Sequence, residues 1–296
     1  MSVGAVPVES RGALSAGQAV DLRREFLRNL THQGTFVVGT VILGFWILSA
    51  IFGNLLVPHD PLAQNLSLIN QAPSGSHWFG TDQLGRDMFA RVITGSRDIL
   101  IIAPLATLIG TVLGTAIGLV MGYFRGAVDD VLGRFVEAFL ALPLVVTGIL
   151  GVVALGSSNT TLILIIGIVF TPLIARTVRA AVLMERELDY VSAARLRGES
   201  SLYIMFVEIL PNVLAPVMVE FTVRLGYAVF TIVTLSFLGF GIQPPSSSWG
   251  LDIYQNFGQV SAGYWWEVLF DALAIASLVI GVNMIANSVE SALDAS

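Results

Sequence analysis

The chain has 296 residues, 55% of them hydrophobic and only 12% charged, with a formal net charge of −6 and a mean hydropathy of +0.80. Soluble domains carry roughly 25% charged residues, and several apolar runs here approach the ~20 residues that cross a bilayer core, so the composition excludes an ordinary soluble globule and indicates an all-α, polytopic membrane protein. There is no cysteine for disulfides or thiolate metal sites, and all fifteen basic residues are arginine. A P-loop needs a lysine on the phosphates, so any ATP that drives this protein binds another chain.

Residues 1–34 form a polar N-terminal tail closing on DLRREFLRN. The apolar run from Thr35 to Val57 lacks a small-residue cleavage site in the right place and reads as a retained span. Further runs near 99–123, 135–156, 160–180, 212–240 and 268–289 bring the expected total to six, all within a membrane domain of 35–296. With the N-terminus inside, the inner segments collect Arg11, Arg23, Arg24, Arg28, Arg125, Arg134, Arg176, Arg179, Arg186, Arg195 and Arg197. The outer segments hold only Arg86, Arg91 and Arg97. This asymmetry places both termini in the cytoplasm.

The first long outer segment, 58–98, contains HWFGTDQLGRDMFARVITGSR. Thr81 or Asp82 can cap a short amphipathic helix there, with Leu84, Met88 and Val92 on one face, lying on the outer membrane surface. Span two carries Gly110, Gly114, Gly118 and Gly122, a small residue at every fourth position. Such a stripe lets helix backbones approach closely. Spacing alone leaves open whether the partner is another subunit or this chain's own bundle. Asp129 and Asp130 fall at a solvated inner turn, and Glu137 beside Arg134 reads as a pairing near the inner surface.

Between spans four and five lies YVSAARLRGESSLYIMFVEILPN, residues 190–212. Ala193 and Ala194 favour helix, Gly198 breaks it, and Leu202, Phe206 and Leu210 recur at helical spacing before Pro211. The pattern is helix, turn, helix, a cytoplasmic hairpin over about 185–211. In isolation it could hold lipid headgroups through Arg195 and Arg197, but its internal turn and closing proline suit a docking element better.

Span five carries Glu220, Arg224, Tyr227, Thr231 and Thr234, separated by four, three, four and three residues. At about 100° per residue these five share one narrow arc, a polar stripe about 21 Å long at 1.5 Å per residue. Ionisable residues within spans face a bundle interior or a wet cavity. We read the stripe as lining a translocation path; the alternative is an i,i+4 ion pair of Glu220 with Arg224, which would not need the residues beyond it. The second outer segment, 241–267, bears Trp249, Tyr254, Phe257, Tyr264, Trp265 and Trp266, a set suited to interfacial anchoring or to a docking partner.

Enzymatic constellations are lacking. His32, His59 and His77 are isolated in sequence and show no H-E-x-x-H spacing, no serine sits in a nucleophile elbow, and neither a metal site nor a catalytic site is expected.

The 190–212 stretch resembles the EAA loop of ABC-importer permease subunits, E-A-A, three residues, G, nine residues, I-x-L-P. Ala193, Ala194, Gly198, Leu210 and Pro211 match at the family's spacing, while Ser192 replaces the glutamate and Glu208 the isoleucine. Residues 77–97 and LSFLGFGIQPPSSSWG at 235–250 are similar to segments of the C-type permeases in dipeptide, oligopeptide and nickel importers. Two departures bear on the substrate: Ile232 stands where these permeases often carry a glutamate, and Phe270, Asp271 and Ala272 replace an FPG-like turn.

The resemblance implies a type I ABC-importer permease in a bacterial-type cell membrane, itself not an enzyme and binding no cofactor. Implied partners are a homologous B-type permease, two ATP-binding domains (two chains or one fused chain) holding ATP and Mg²⁺, an extracytoplasmic solute-binding protein, a peptide substrate and the lipid bilayer; nucleic acid is not among them. Ala193, Ala194, Arg195, Arg197, Gly198, Leu210 and Pro211 form the implied ATPase-coupling loop. The alternatives are a nickel or other small-solute importer of the same branch, and a proton-coupled secondary transporter with Glu220 as its proton site. The latter would work alone and gives the hairpin no purpose.

Overall fold

A computed structural model describes residues 30–294; most of the 1–34 tail therefore lies outside the described residues. Helices α1 (Gly34–Leu56), α2 (Met88–Phe124), α3 (Gly126–Leu140), α4 (Leu144–Leu155) and α5 (Asn159–Glu185) follow in order. Then come α6 (Asp189–Leu196), α7 (Ser201–Asn212), α8 (Leu214–Phe237), α9 (Trp249–Asn256) and α10 (Trp266–Asp294). No strand occurs among the described residues.

Five helices, α1, α2, α5, α8 and α10, are long and apolar enough to cross a membrane. The expected third span is instead a bent pair: α3 and α4 meet at 90°, so the number reaches six only if the pair is taken as one. Pro143 at the N-cap of α4 has extended backbone geometry (φ −58°, ψ 128°), and a proline also drives the residue before it out of the helical region. The apolar run continues through the break, which is why hydropathy alone merges the two.

Helix α2 has 37 residues, about 55 Å at 1.5 Å per residue, well beyond a ~30 Å hydrocarbon core. It begins where the Asp87 carboxylate accepts the Ala90 amide at 2.8 Å, satisfying one of the free donors of a helix start. It ends where Arg125 and Gly126, both at φ 54°, turn the chain into α3. The short surface helix expected from Thr81 or Asp82 does not form: 77–87 is an irregular loop, and Met88 and Val92 are buried in the first turns of α2. A carboxylate at 87, next to the apolar run, is the cap that starts the helix.

The four-residue glycine stripe of α2 lies against α5 of the same chain. A methyl group at Gly114 would stand 2.8 Å from the Thr171 carbonyl, one at Gly118 2.7 Å from that of Ala175, and one at Gly122 2.7 Å from Val182 Cβ. A methyl group at Gly110 would stand 2.9 Å from the Gly167 carbonyl. Absent side chains let the backbones close here, and Ile166, Phe170, Ile174 and Val178 of α5 are buried as a result. Helix α1 packs on α10 through Gly39, whose added methyl would lie 2.8 Å from the Gly281 carbonyl. Trp46 Nε1 also donates to Ser277 Oγ at 2.9 Å. Val41, Ile51 and Leu55 of α1 point outward, the apolar exterior that a bilayer accepts and water would not.

Candidate coupling and translocation sites

The bundle has two unlike ends, one carrying α6 and α7 and the other the long loops before α2 and around α9.

At the first end, α6 stops in a Schellman arrangement. The Glu199 amide donates to the Ala194 carbonyl at 3.2 Å and the Gly198 amide to that of Arg195 at 3.0 Å. Gly198 has φ +77°, and nothing lies within 4 Å of a methyl placed on it. Glycine is required by backbone conformation and not by space. Ser200 Oγ then accepts the Tyr203 amide at 3.2 Å and starts α7. The middle of α7, Ile204–Ile209, is a π-helix, with the Leu210 amide reaching back to the Met205 carbonyl. Pro211 has no amide for the Val207 carbonyl, and a wider turn ahead of a proline is one way to accommodate that loss. Pro211 does not itself open span five: α8 begins three residues later, at Leu214.

The hairpin is tied to the bundle on one face. Val191, Ala194, Ile204, Met205 and Ile209 are buried. Tyr190 Oη donates to Glu185 Oε1 at 2.7 Å, and Asn212 Nδ2 donates to Tyr190 Oη at 3.2 Å. Burial first, and then that bond to Glu185, holds the Tyr190 phenol above its ordinary range, so it stays neutral and donating. The Arg195 guanidinium stacks 5.4 Å from the Tyr123 ring, and Arg197 pairs with Glu208 at 3.0 Å.

The other face is bare. Leu196 is 90% exposed and Leu202 65%, with Phe206 and Val207 about half exposed. The periodic set Leu202, Phe206, Leu210 therefore does not form the buried seam of α7. Ile204, Met205 and Ile209 do, and the regular pattern is largely the outward face. Ala193 and Pro211 are exposed and Leu210 half-buried.

Beside the hairpin, Asp129 is not in a solvated turn. It lies in α3 and accepts two bonds of 2.5 Å from Arg179 of α5. Among the described residues Glu137 forms no ion pair with Arg134. Both line a polar recess with Asp129, Asp130, Arg176 and Arg179.

On α8, Glu220 and Arg224 pair with each other at 2.9 Å, and Glu220 Oε1 also accepts from Thr177 of α5 at 2.7 Å. Arg224 lies 5.5 Å from the centre of the Tyr227 ring, which is itself exposed. Thr231 departs from the stripe. It is buried, donates to the Tyr227 carbonyl at 2.8 Å, and sits among Leu144, Gly148 and Phe170. Thr234, partly exposed, likewise donates to its own helix, to Phe230 at 2.8 Å. The arc expected of an isolated helix therefore splits into a mostly buried ion pair, an exposed tyrosine and a packed threonine.

The opposite end holds what the sequence concealed. Arg91 is completely buried; its Nε donates to both carboxylate oxygens of Asp252 in α9, at 3.0 and 3.1 Å, and its other nitrogens to the carbonyls of Pro61 and Ser246. Burial pushes the Asp252 carboxyl above its ordinary range, with Arg91 pulling against it. Arg86 Nε meets Asp82 at 2.6 Å. Trp249 donates to the Val92 carbonyl at 2.8 Å and Trp266 to that of Thr81 at 3.1 Å. These two tryptophans are thus internal struts, while Tyr254, Phe257 and Trp265 of the same segment remain exposed. His59 and His77, isolated in sequence, are brought together with ring centres 4.7 Å apart.

Residues 114–296 match the family described as binding-protein-dependent transport system inner membrane component, and residues 22–73 match the N-terminal TM domain of oligopeptide transport permease C. The chain is 34% identical over 267 residues to the dipeptide transport system permease protein DppC of Bacillus subtilis, covering 90% of this chain and 83% of that one. It is 33% identical to the glutathione transport system permease protein GsiD of Pectobacterium atrosepticum, over 92% and 90% of the two chains. The inward-facing MetNI methionine ABC transporter shares the fold, with a TM-score of 0.56 at 18% identity over 69% of this chain and 96% of that one. With a helical membrane bundle, a family profile over most of its length and relatives matched almost end to end, the chain belongs to the inner-membrane permease components of binding-protein-dependent ABC transport systems.

Proposed function

We propose that this chain is one of two homologous permease subunits in an ATP-driven importer of di- or oligopeptides in a bacterial-type cell membrane. The observation that carries the coupling role is the α6–α7 hairpin. It is fixed to the bundle by one buried face and presents Leu196, Leu202 and Phe206 outward, in a chain with no lysine for a P-loop. Large apolar side chains left exposed on an ordered protrusion suit an interaction site. Two ATP-binding domains, carrying ATP and Mg²⁺ on one or two other chains, dock there. A solute-binding protein delivers substrate at the opposite end, and this chain binds no cofactor.

Arginine asymmetry supports placing the hairpin and both termini in the cytoplasm and the long loops outside. Closure of the ATPase domains would push on α6 and α7, and the push would reach α5 and α8, which flank the hairpin in sequence. The permease pair would then alternate access around a central path. Glu220, Arg224, Tyr227 and Thr234 are our candidates for lining it, with Thr231 supporting them from the packed side. A carboxylate and a guanidinium suit the two termini of a zwitterionic peptide. Names of relatives that carry dipeptide or glutathione transport support a peptide substrate.

The test is uptake of labelled dipeptides, longer peptides and nickel by a deletion strain and its complemented counterpart. Restored peptide uptake with unchanged nickel uptake is expected. Restored nickel uptake alone would make the chain a metal importer's permease, and identical uptake of all three in both strains would end the import reading for these substrates.

A further inference from the structure

Three residues from separate parts of the loop end converge: His59 just beyond α1, His77 in the loop ahead of α2, and Asp87, the residue that caps α2. His77 Nδ1 lies 2.7 Å from Asp87 Oδ2, and His59 Nδ1 lies 3.5 Å from the same oxygen. One candidate ligand atom from each residue falls within 4.8 Å of the others. The two imidazoles are tilted 30° with ring centres 4.7 Å apart, so both rings bring a nitrogen to one carboxylate edge.

The hydrogen bond from His77 to Asp87 needs no further explanation: it ties the loop to the helix start. His59 does. Its Nδ1 is buried yet has no hydrogen-bond partner, although the side chain as a whole is 41% exposed. An imidazole nitrogen shielded from solvent, without a hydrogen bond and facing a carboxylate 3.5 Å away beside a second imidazole, suits a cation. The other carboxylate oxygen, Oδ1, is engaged by the Ala90 amide, which orients Oδ2 toward the histidines as ligand-supporting bonds do elsewhere.

We infer that His59, His77 and Asp87 form a binding site for one divalent transition-metal ion of the zinc class, which clips the segment after α1 to the start of α2. Two imidazoles and a carboxylate suit such ions and not hard ions like Mg²⁺ or Ca²⁺. Tetrahedral ligands at 2.0–2.2 Å from zinc stand about 3.3 Å from each other. The 3.5 Å pair already meets that spacing, the 2.7 Å pair must open by about half an ångström, and the two imidazole nitrogens, within 4.8 Å of each other, must close by at most about 1.5 Å. The exposed flank of His59 leaves a fourth position to water. The inference is independent of the transported substrate and of which way the bundle faces.

The chain has three histidines and no cysteine, which makes the test clean. The full-length chain, purified in detergent with a histidine-free tag, is titrated with Zn²⁺ by calorimetry and by competition with a chromophoric chelator. One saturable ion per chain and a melting temperature that rises with Zn²⁺ and falls back with chelator are expected. His59→Ala should weaken binding at least tenfold while lowering the zinc-free melting temperature less than His77→Ala does, because Nδ1 makes no hydrogen bond and only its 3.5 Å approach to Asp87 and the ring contact with His77 are lost. His77→Ala should abolish binding and also lower the zinc-free melt. No saturable binding by the unmodified chain, zinc affinity unchanged in His59→Ala, or equal affinity for Ca²⁺ would each overturn the site.

Discussion

The two ends of the bundle solve opposite problems. At the loop end a fully buried arginine, two tryptophans and the carboxylates of Asp82 and Asp252 find their partners inside the chain, so α9 is locked to α2 and the start of α10 to the loop ahead of α2 by charge and hydrogen bonds. At the hairpin end the ties are made on one face only, and large apolar side chains are left facing outward. An end whose buried arginine is paired within the chain serves as a frame, even where Tyr254, Phe257 and Trp265 stay exposed on its surface. An end that leaves apolar surface uncovered on an ordered protrusion is built to be completed by something else.

That contrast can be broken most forcefully at Arg91. Removing one partner of a buried ion pair leaves an uncompensated charge and costs about 3–5 kcal/mol. Arg91→Ala should therefore lower the unfolding midpoint in detergent sharply, or prevent recovery of folded protein, and Asp252→Ala should do the same. If both variants unfold like the parent, the loop end is not the frame.

Next in size is Gly118→Val. An added Cβ would already lie 2.7 Å from the Ala175 carbonyl and 2.8 Å from Val178 Cβ, and overpacking of this kind costs about 1–3 kcal/mol. The expected result is a destabilised subunit that fails in isolation, since the contact is within one chain. A normal isolated subunit that fails only to pair with a second permease would instead point to a subunit interface.

A smaller effect is expected at Gly198. Alanine meets no clash there, so only the left-handed conformation is penalised, by roughly 1–2 kcal/mol, and the penalty falls on the hairpin turn alone. Gly198→Ala should leave the bundle's melting nearly unchanged while speeding proteolysis of the 190–212 segment. Global destabilisation as large as that of Gly118→Val would show the hairpin to be part of the frame.

Much of this was legible beforehand, for identifiable reasons. Apolar runs near bilayer length give five spans directly, though the run at 135–156 hides the 90° break between α3 and α4, and an alanine pair followed by glycine and proline at fixed distances gives the hairpin. The glycine stripe declared a close-packing face but could not name α5, because spacing along one helix carries no information about its neighbour. Arg91 and Asp252 lie 161 positions apart, and nothing local in either segment announces the other. The same holds for His59 and His77, whose separation in sequence hides a 4.7 Å approach. In α7 two apolar faces recur at helical spacing, Leu202 with Phe206 and Ile204 with Met205 and Ile209, and periodicity alone does not say which of them faces the bundle.

The smallest expected change in stability tests the central claim. Leu196 is 90% exposed, so Leu196→Asp should shift unfolding by no more than about 0.5 kcal/mol. If the hairpin receives the work of the ATPase, the assembled transporter carrying this substitution should keep its permease subunits folded in the membrane and lose both peptide uptake and capture of the ATP-binding domains. Wild-type uptake, with the ATPase still bound, would contradict the account.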